Sequence, residues 1–250
     1  MILDIWGRSH YHKHKNKTLE WCPGDTKELF DVHMADKESR TLLDHNNWVD
    51  REIEYKFNEH GYRCDSWNND LGCRVLFAGC SQTMGIGLPL DVLWASRIAE
   101  YLRVPYHNIA CGGSDWQHVT QRLVYWIPKL RPAFLIMKEP PTQRFNWWDG
   151  DTAVQSNQFT EEELINCRVN DSRPLVDIVQ YNNSEWYKWS MTQLIQQLCT
   201  EYRVRLISIP TGRLNYDADY KKDLARDLNH FGQQEQDYTF ELVKRIFENE

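Results

Sequence analysis

Three residue types that together perform acyl transfer stand at telling places in this 250-residue chain. Ser81 falls in the run Val75-Leu76-Phe77-Ala78-Gly79-Cys80-Ser81-Gln82-Thr83, where an apolar stretch that reads as a buried strand gives way to a turn. A serine hydroxyl is a poor nucleophile until a base takes its proton, and the base works best when a carboxylate fixes its tautomer. His230 and Asp227, in Arg226-Asp227-Leu228-Asn229-His230-Phe231-Gly232, are one of each. A serine at a strand-to-helix turn also sits beside backbone N–H groups that can receive an oxyanion. Gly79, Gly85 and Gly87 suit a tight turn there, and Gly112 and Gly113 offer a second approach to backbone N–H groups. Cys80 is an alternative nucleophile, but its side chain should leave the turn in another direction.

Each cluster also has a plainer reading. A glycine-rich loop before a helix can hold a phosphate, yet Gly79 to Gly87 lacks the Gly-Lys-Ser/Thr ending of a P-loop and the three-glycine spacing of a dinucleotide fingerprint. Asp-x-x-His before a helix is also a common capping arrangement. His10-Tyr11-His12-Lys13-His14 places three imidazoles on one side of any extended segment, a spacing that can hold zinc or nickel. No Cys or carboxylate completes that set nearby, so a solvated strand or loop is the favoured reading, and neither metal nor cofactor is expected.

The elements that must position these residues follow from the pattern of apolar runs. Short runs at 74–78, 106–110, 133–138 and 204–209 read as strands. Residues 90–102, 116–127, 189–202 and 237–247 repeat apolar side chains at helical spacing. Alternating strands and helices predict a central parallel sheet with helices on both faces, and ligands of such sheets bind beyond the carboxyl ends of the strands. Before this core, residues 1–70 form a polar, His-rich extension of little periodicity. It ends in a piece, residues 55–64, that suggests a short edge strand. The expected organisation is an irregular extension over 1–70 packed on one domain over 71–250.

Composition narrows the function. A net charge of −7 argues against a binder of nucleic acid, whose footprint is a basic patch. The first residues show no basic segment followed by a long apolar one, and no stretch approaches the ~20 apolar residues of a bilayer span. No membrane partner is expected, and a cytoplasmic protein is, with a place in a virus particle equally compatible. Seven scattered cysteines, an odd number, suit free and mostly buried thiols. Many of the 11 Trp fall outside the predicted strands, among them Trp116, Trp126, Trp186 and Trp189; they can line a sugar-binding cleft or pack loops on the core.

Taken by blocks and in order, the chain resembles the SGNH hydrolases, also called GDSL esterases or lipases. The stretch 75–87 is similar to their first block, whose Ser is the nucleophile. Asn108-Ile109-Ala110-Cys111-Gly112-Gly113-Ser114 is similar to the second, whose final Gly gives an oxyanion N–H. Asp227-Leu228-Asn229-His230 is similar to the last, and Asn58-Glu59-His60-Gly61-Tyr62-Arg63 to a lead-in found in some members. The resemblance implies a three-layer α/β/α sandwich, flavodoxin-like, with a mostly parallel sheet. It also implies a triad of Ser81, His230 and Asp227, with Ser81 and Gly113 as oxyanion donors.

Two blocks depart from the family pattern. Cys80 stands where Asp usually precedes the nucleophile. The third block reads Lys138-Glu139-Pro140-Pro141-Thr142-Gln143-Arg144 where the family has Gly-x-Asn-Asp, so Gln143 is the first candidate for the missing oxyanion donor, followed by Asn146 and Arg144. Arg144, Asn146 and Trp116 are candidate substrate contacts. The function implied is hydrolysis of a small-molecule or carbohydrate ester, O-acetyl or another short acyl, through an acyl-enzyme. The alternatives are an SGNH-fold binding protein with weakened catalysis, and an acyltransferase using the same serine.

Overall fold

The computed structural model describes residues 7–67, 74–142, 145–149, 152–156, 183–211 and 222–249. Four parallel strands make the central sheet, in the order β4, β3, β5, β8: β3 is Val75–Ala78, β4 Tyr106–Asn108, β5 Phe134–Lys138 and β8 Arg205–Ile209. All lie within a residue or two of the predicted runs. Their registers pair Val75 with both Tyr106 and Phe134, and Phe134 with Arg205.

Alternate residues of a strand point to opposite faces, and the sheet separates them into two cores. Val75, Phe77, Ile136, Ile207 and Ile209 pack against Trp94, Ile98 and Val243, from helix α4 (Trp94–Leu102) and helix α7 (Gln233–Glu248). Leu76, Ala78, Leu135 and Met137 face Val119, Leu123 and Ile127 of α5 (Trp116–Leu130) and Ile195 and Cys199 of α6 (Asn183–Tyr202). The architecture is the predicted one, a parallel sheet between two helical layers.

Two local differences have physical reasons. The apolar period from residue 90 does not make one helix: residues Leu90–Val92 form a 3-10 turn, Leu93 is extended at ψ 133°, and α4 starts at Trp94. The extension, expected to be irregular, holds α1 (Lys27–Ala35), α2 (Lys37–His45) and a ribbon of β1 (Thr18–Leu19) against β2 (Tyr55–Lys56). The strand expected near residue 55 therefore pairs inside the extension and not with the main sheet. Thr26 accepts the Leu29 N–H at 3.2 Å and Asp36 the Ser39 N–H at 2.8 Å, so a side-chain cap opens each helix.

The extension also enters the core. Tyr11, Leu43, Trp48, Ile53, Tyr55, Phe57, Tyr62 and Trp67 belong to the same buried cluster as Leu76 and Leu123. A further antiparallel hairpin, β6 (Phe145–Asp149) with β7 (Thr152–Ser156), follows β5 and pairs Asn146 with Gln155. Among the described residues no helix is long and apolar enough to cross a membrane.

Candidate active site

The turn that carries Ser81 is built on glycines that nothing else can replace cheaply. Strand β3 ends at Ala78, and Gly79 follows at φ +150°, where an added Cβ would lie 2.5 Å from Thr83 Oγ1 and 2.8 Å from the Lys138 carbonyl. Cys80 is extended and caps a four-residue helix, α3 (Ser81–Met84), of which Ser81 is the first residue. Gly85 closes the helix at φ +82°, donating its N–H to the Ser81 carbonyl at 2.7 Å. Ser81 is 4% exposed.

Asp227 and His230 meet in a second tight turn. Leu228 between them is left-handed at φ +51°, and Ala225 N–H donates to the His230 carbonyl at 2.9 Å. Asp227 Oδ1 accepts the backbone N–H groups of Asn229 and His230 at 3.3 and 3.1 Å, and Oδ2 lies 2.5 Å from His230 Nδ1. The carboxylate is fully buried, whereas the imidazole keeps 18% of its surface. With Nδ1 held by the carboxylate, Nε2 is the nitrogen left to exchange a proton.

Two tethers bring this turn to that of Ser81. Arg226 N–H donates to the Gly87 carbonyl at 3.0 Å, and Gln236 Nε2 donates to the Gln82 carbonyl at 3.3 Å. His230 lies between the two tethered positions in sequence; Gln82 is inside the Ser81 helix and Gly87 just beyond its end. The contact at Gly87 is so close that a Cβ there would stand 3.0 Å from the Arg226 nitrogen. The loop after β4 is fixed to the same helix: Asn108 Nδ2 donates to the Thr83 carbonyl at 3.0 Å, and Gly112 N–H meets Met84 Sδ at 3.3 Å. Gly113, the candidate oxyanion donor, is left-handed at φ +73°.

The extension grips both turns, which the sequence alone did not reveal. Buried Asp25 accepts Arg226 Nη2 at 2.7 Å and the Tyr55 hydroxyl at 2.5 Å, and Tyr55 Oη in turn accepts Gly87 N–H at 2.8 Å. Buried Arg63 donates to the carbonyls of Met84, Gly85 and Leu88, at the end of the Ser81 helix and just beyond it. Trp48 Nε1 donates to the Leu224 carbonyl at 2.7 Å, and His33 Nε2 lies 3.3 Å from the Asp227 carbonyl. The one hint in the sequence was Arg63, at the end of the lead-in.

The other candidates divide. Gln143 and Arg144 lie outside the described residues. Asn146 sits in β6 with its backbone opposite Gln155. Trp116, expected at the substrate, is 0% exposed and belongs to the core. At the third block, Lys138 is buried on Glu235 and on Thr239 Oγ1 at 3.1 Å, while Glu139 pairs with Lys188 at 2.7 Å and accepts Ser208 Oγ at 3.0 Å. Burial pushes the Lys138 ammonium below its usual range, opposed by Glu235. These two side chains fasten β5 to α7, α6 and β8.

The histidine-rich run is not extended: His12–His14 form a 3-10 turn, which spreads the three rings that an extended chain would align. His10 Nδ1 bonds the Gly112 carbonyl at 3.1 Å, and among the described residues no group of three His, Cys, Asp or Glu is arranged to hold a metal ion. Asp115 and His118 repeat the Asp-x-x-His geometry at the start of α5, with Nδ1 2.9 Å from Oδ1, but that imidazole side chain is only 9% exposed. Cys22, Cys64, Cys80, Cys111 and Cys199 are buried and free, and burial raises the thiols of Cys22 to about 12 and of Cys64 and Cys199 to about 11.

No family model matches the chain, and no curated protein does. Among solved structures it is similar to the psychrotrophic esterase EstA from Pseudoalteromonas, at 11% identity over 70% of this chain and 97% of that one, with a TM-score of 0.35. It is also similar to a family 3 carbohydrate esterase from Clostridium thermocellum, at 9% identity over 69% and 94% of the two chains, TM-score 0.35. TesA is a third, at 12% identity over 69% and 96%, TM-score 0.34.

Proposed function

We propose that the chain is a serine esterase of the SGNH type that hydrolyses a short acyl ester, O-acetyl in the first instance, on a small molecule or a carbohydrate. One observation carries this reading: the buried Asp227 holds His230 Nδ1 at 2.5 Å on a loop tethered on both sides to the turn of Ser81. In the proposed reaction Ser81 Oγ attacks the ester carbonyl while His230 Nε2 takes its proton. The oxyanion is received by the N–H groups of Ser81 and Gly113, with the Gln143 amide as third donor. Collapse breaks the bond to the alcohol, which leaves with the proton from His230. Water then attacks the acyl-enzyme, again giving its proton to His230, and the acid departs as Ser81 is restored.

A second reading has its own support. Lys138 and Glu139 occupy the third block with structural ion pairs, where the family resemblance implies an oxyanion Asn, and losing one such donor costs about 10²–10³ in rate. That favours a slow enzyme or a binding protein that keeps the fold. Hydrolysis of 4-nitrophenyl acetate and of acetylated sugars separates the two readings. The esterase reading expects turnover that is abolished in Ser81→Ala and in His230→Ala. Turnover surviving either substitution removes the triad, and no turnover on any acetyl ester favours binding.

A further inference from the structure

Gly87 is bonded on both sides of its backbone. Its N–H donates to the Tyr55 hydroxyl at 2.8 Å, and its carbonyl accepts the Arg226 N–H at 3.0 Å. The two bonds meet again at Asp25. The Tyr55 hydroxyl donates to Asp25 Oδ2 at 2.5 Å, and the Arg226 guanidinium grips the same carboxylate through Nη2 at 2.7 Å and Nε at 3.1 Å. Gly87, Tyr55, Asp25 and Arg226 therefore form a closed ring of hydrogen bonds.

Chemistry fixes the direction of the ring. A backbone N–H and a guanidinium only donate, a carboxylate only accepts, and a phenol has a single hydrogen to give. Tyr55 is the member whose one oxygen does both, accepting from Gly87 and donating to Asp25. Burial, with Cys22 and Asp25 beside it, holds the phenol well above its usual range, so the hydrogen stays on. Gly87 is buried, and Tyr55, Asp25 and Arg226 are at most 4% exposed, so water does not replace a bond that is lost.

The ring stands between the two turns that must act together. On one side the Ser81 carbonyl accepts the N–H groups of Gly85 at 2.7 Å and Ile86 at 3.2 Å, and Gly87 is the next residue. On the other side Arg226 precedes Asp227, whose Oδ2 lies 2.5 Å from His230 Nδ1. The two chain segments touch here: a Cβ on Gly87 would stand 2.9 Å from the Ala225 Cβ. Interiors packed this closely transmit a displacement from one segment to the other.

We propose, resting on the esterase reading of Ser81, that Asp25 and Tyr55 are positioning residues for its reaction: by closing this ring they set the reach from Ser81 Oγ to His230 Nε2. The transfer of the Ser81 proton needs the two atoms within about 2.6–3.2 Å, and a misplacement of about 1 Å costs on the order of 10²-fold in rate. Removing the Tyr55 hydroxyl takes away one of the two bonds that hold Gly87 and leaves Arg226 on Asp25, so a smaller displacement and a loss of about tenfold are expected. Slower attack with unchanged substrate binding marks such a role. A brace for folding alone would lower the unfolding midpoint and leave kcat of the folded enzyme as it was.

The test compares the parent with Tyr55→Phe, which keeps the aromatic ring and loses only the hydroxyl, with Asp25→Asn, and with the double variant, each well below its own unfolding midpoint. Two rates are measured: turnover of 4-nitrophenyl acetate, and labelling of Ser81 by a fluorophosphonate followed by mass spectrometry, with Ser81→Ala as the blank. In each single variant kcat and the labelling rate should fall about tenfold while KM stays within about twofold. The double variant should be about as slow as the slower single one, because either change opens the same ring. Should Asp25→Asn fail to fold, the kcat of Tyr55→Phe decides alone. A Tyr55→Phe enzyme with parental kcat and labelling rate, or a double variant whose losses multiply, overturns the positioning role and leaves the labelled Ser81 as nucleophile. A parent that neither turns over the ester nor is labelled at Ser81 removes the esterase reading and the positioning role with it.

Discussion

At the scale of single residues, the Asp227–His230 pair and Gly79 carry the sharpest consequences. An Asn at 227 would present an N–H to His230 Nδ1 and favour the tautomer that puts a proton on Nε2, the nitrogen needed as base. On the proposed mechanism Asp227→Asn therefore lowers kcat on the order of 10⁴-fold with little change in KM, measured on any ester the parent turns over. A preserved kcat would show that the pair serves only to close its turn. Gly79→Ala acts on stability instead. Its φ of +150° belongs to glycine and its Cβ would press on the Lys138 carbonyl at 2.8 Å, a strain of about 1–3 kcal/mol. At about 2–4 °C per kcal/mol in a chain of this size, the thermal midpoint should fall by several degrees. An unchanged midpoint would mean that the turn relaxes freely.

At the scale of elements, the extension works as a clamp. Asp25 is shared between Arg226, which adjoins Asp227, and Tyr55, which holds Gly87 beside the Ser81 helix. Removing one member of a buried pair leaves the other charge without compensation and costs about 3–5 kcal/mol. Asp25→Ala should lower the urea midpoint accordingly, and Asp25→Asn, which still accepts from Tyr55, should lower it less. Equal effects of the two would locate the stabilisation in the charge pairing with Arg226 and not in packing or the hydrogen bond from Tyr55. The two central strands, β3 and β5, were legible in the sequence because a strand buried on both faces is a nearly uninterrupted apolar run. The extension's helices were not, for a physical reason: α1 buries no residue and α2 only Leu43, so neither leaves an apolar stripe, and only the caps Thr26 and Asp36 announce them. Likewise, Leu90 and Leu93 continue an apolar period straight through a backbone break. Of the site, Ser81, Asp227 and His230 stood out as residue types beside turns. The bonds of Asp25 to Arg226 and of Trp48 to Leu224 did not, since nothing local marks a partner some 200 positions away.

At the scale of the whole molecule, one buried cluster runs from Tyr11 and Trp48 of the extension to Leu123 and Ile195 of the helical layer. Because the described residues before 70 bury their apolar side chains in that shared cluster and have none of their own, the described chain should unfold as one unit. Far-ultraviolet circular dichroism, which follows the helices, and tryptophan fluorescence, which draws on Trp48 and Trp67 in the extension and Trp94 and Trp126 in the core, should trace the same denaturant transition. Two separated transitions would show that the extension folds alone. A shortened chain beginning near residue 70 would expose the apolar surface that Tyr55, Tyr62 and Trp67 cover, and should precipitate on expression.

The bond between Asp25 and Arg226 spans 201 positions, and that from Trp48 to Leu224 spans 176. Contacts so distant along the chain form late, because loop closure must be completed before they contribute. On the ribosome, Asp25 and Tyr55 emerge long before the turn that carries His230. The candidate site therefore assembles only after the whole stretch from Ser81 to His230 has been made, and through that interval Ser81 lacks the imidazole proposed as its base.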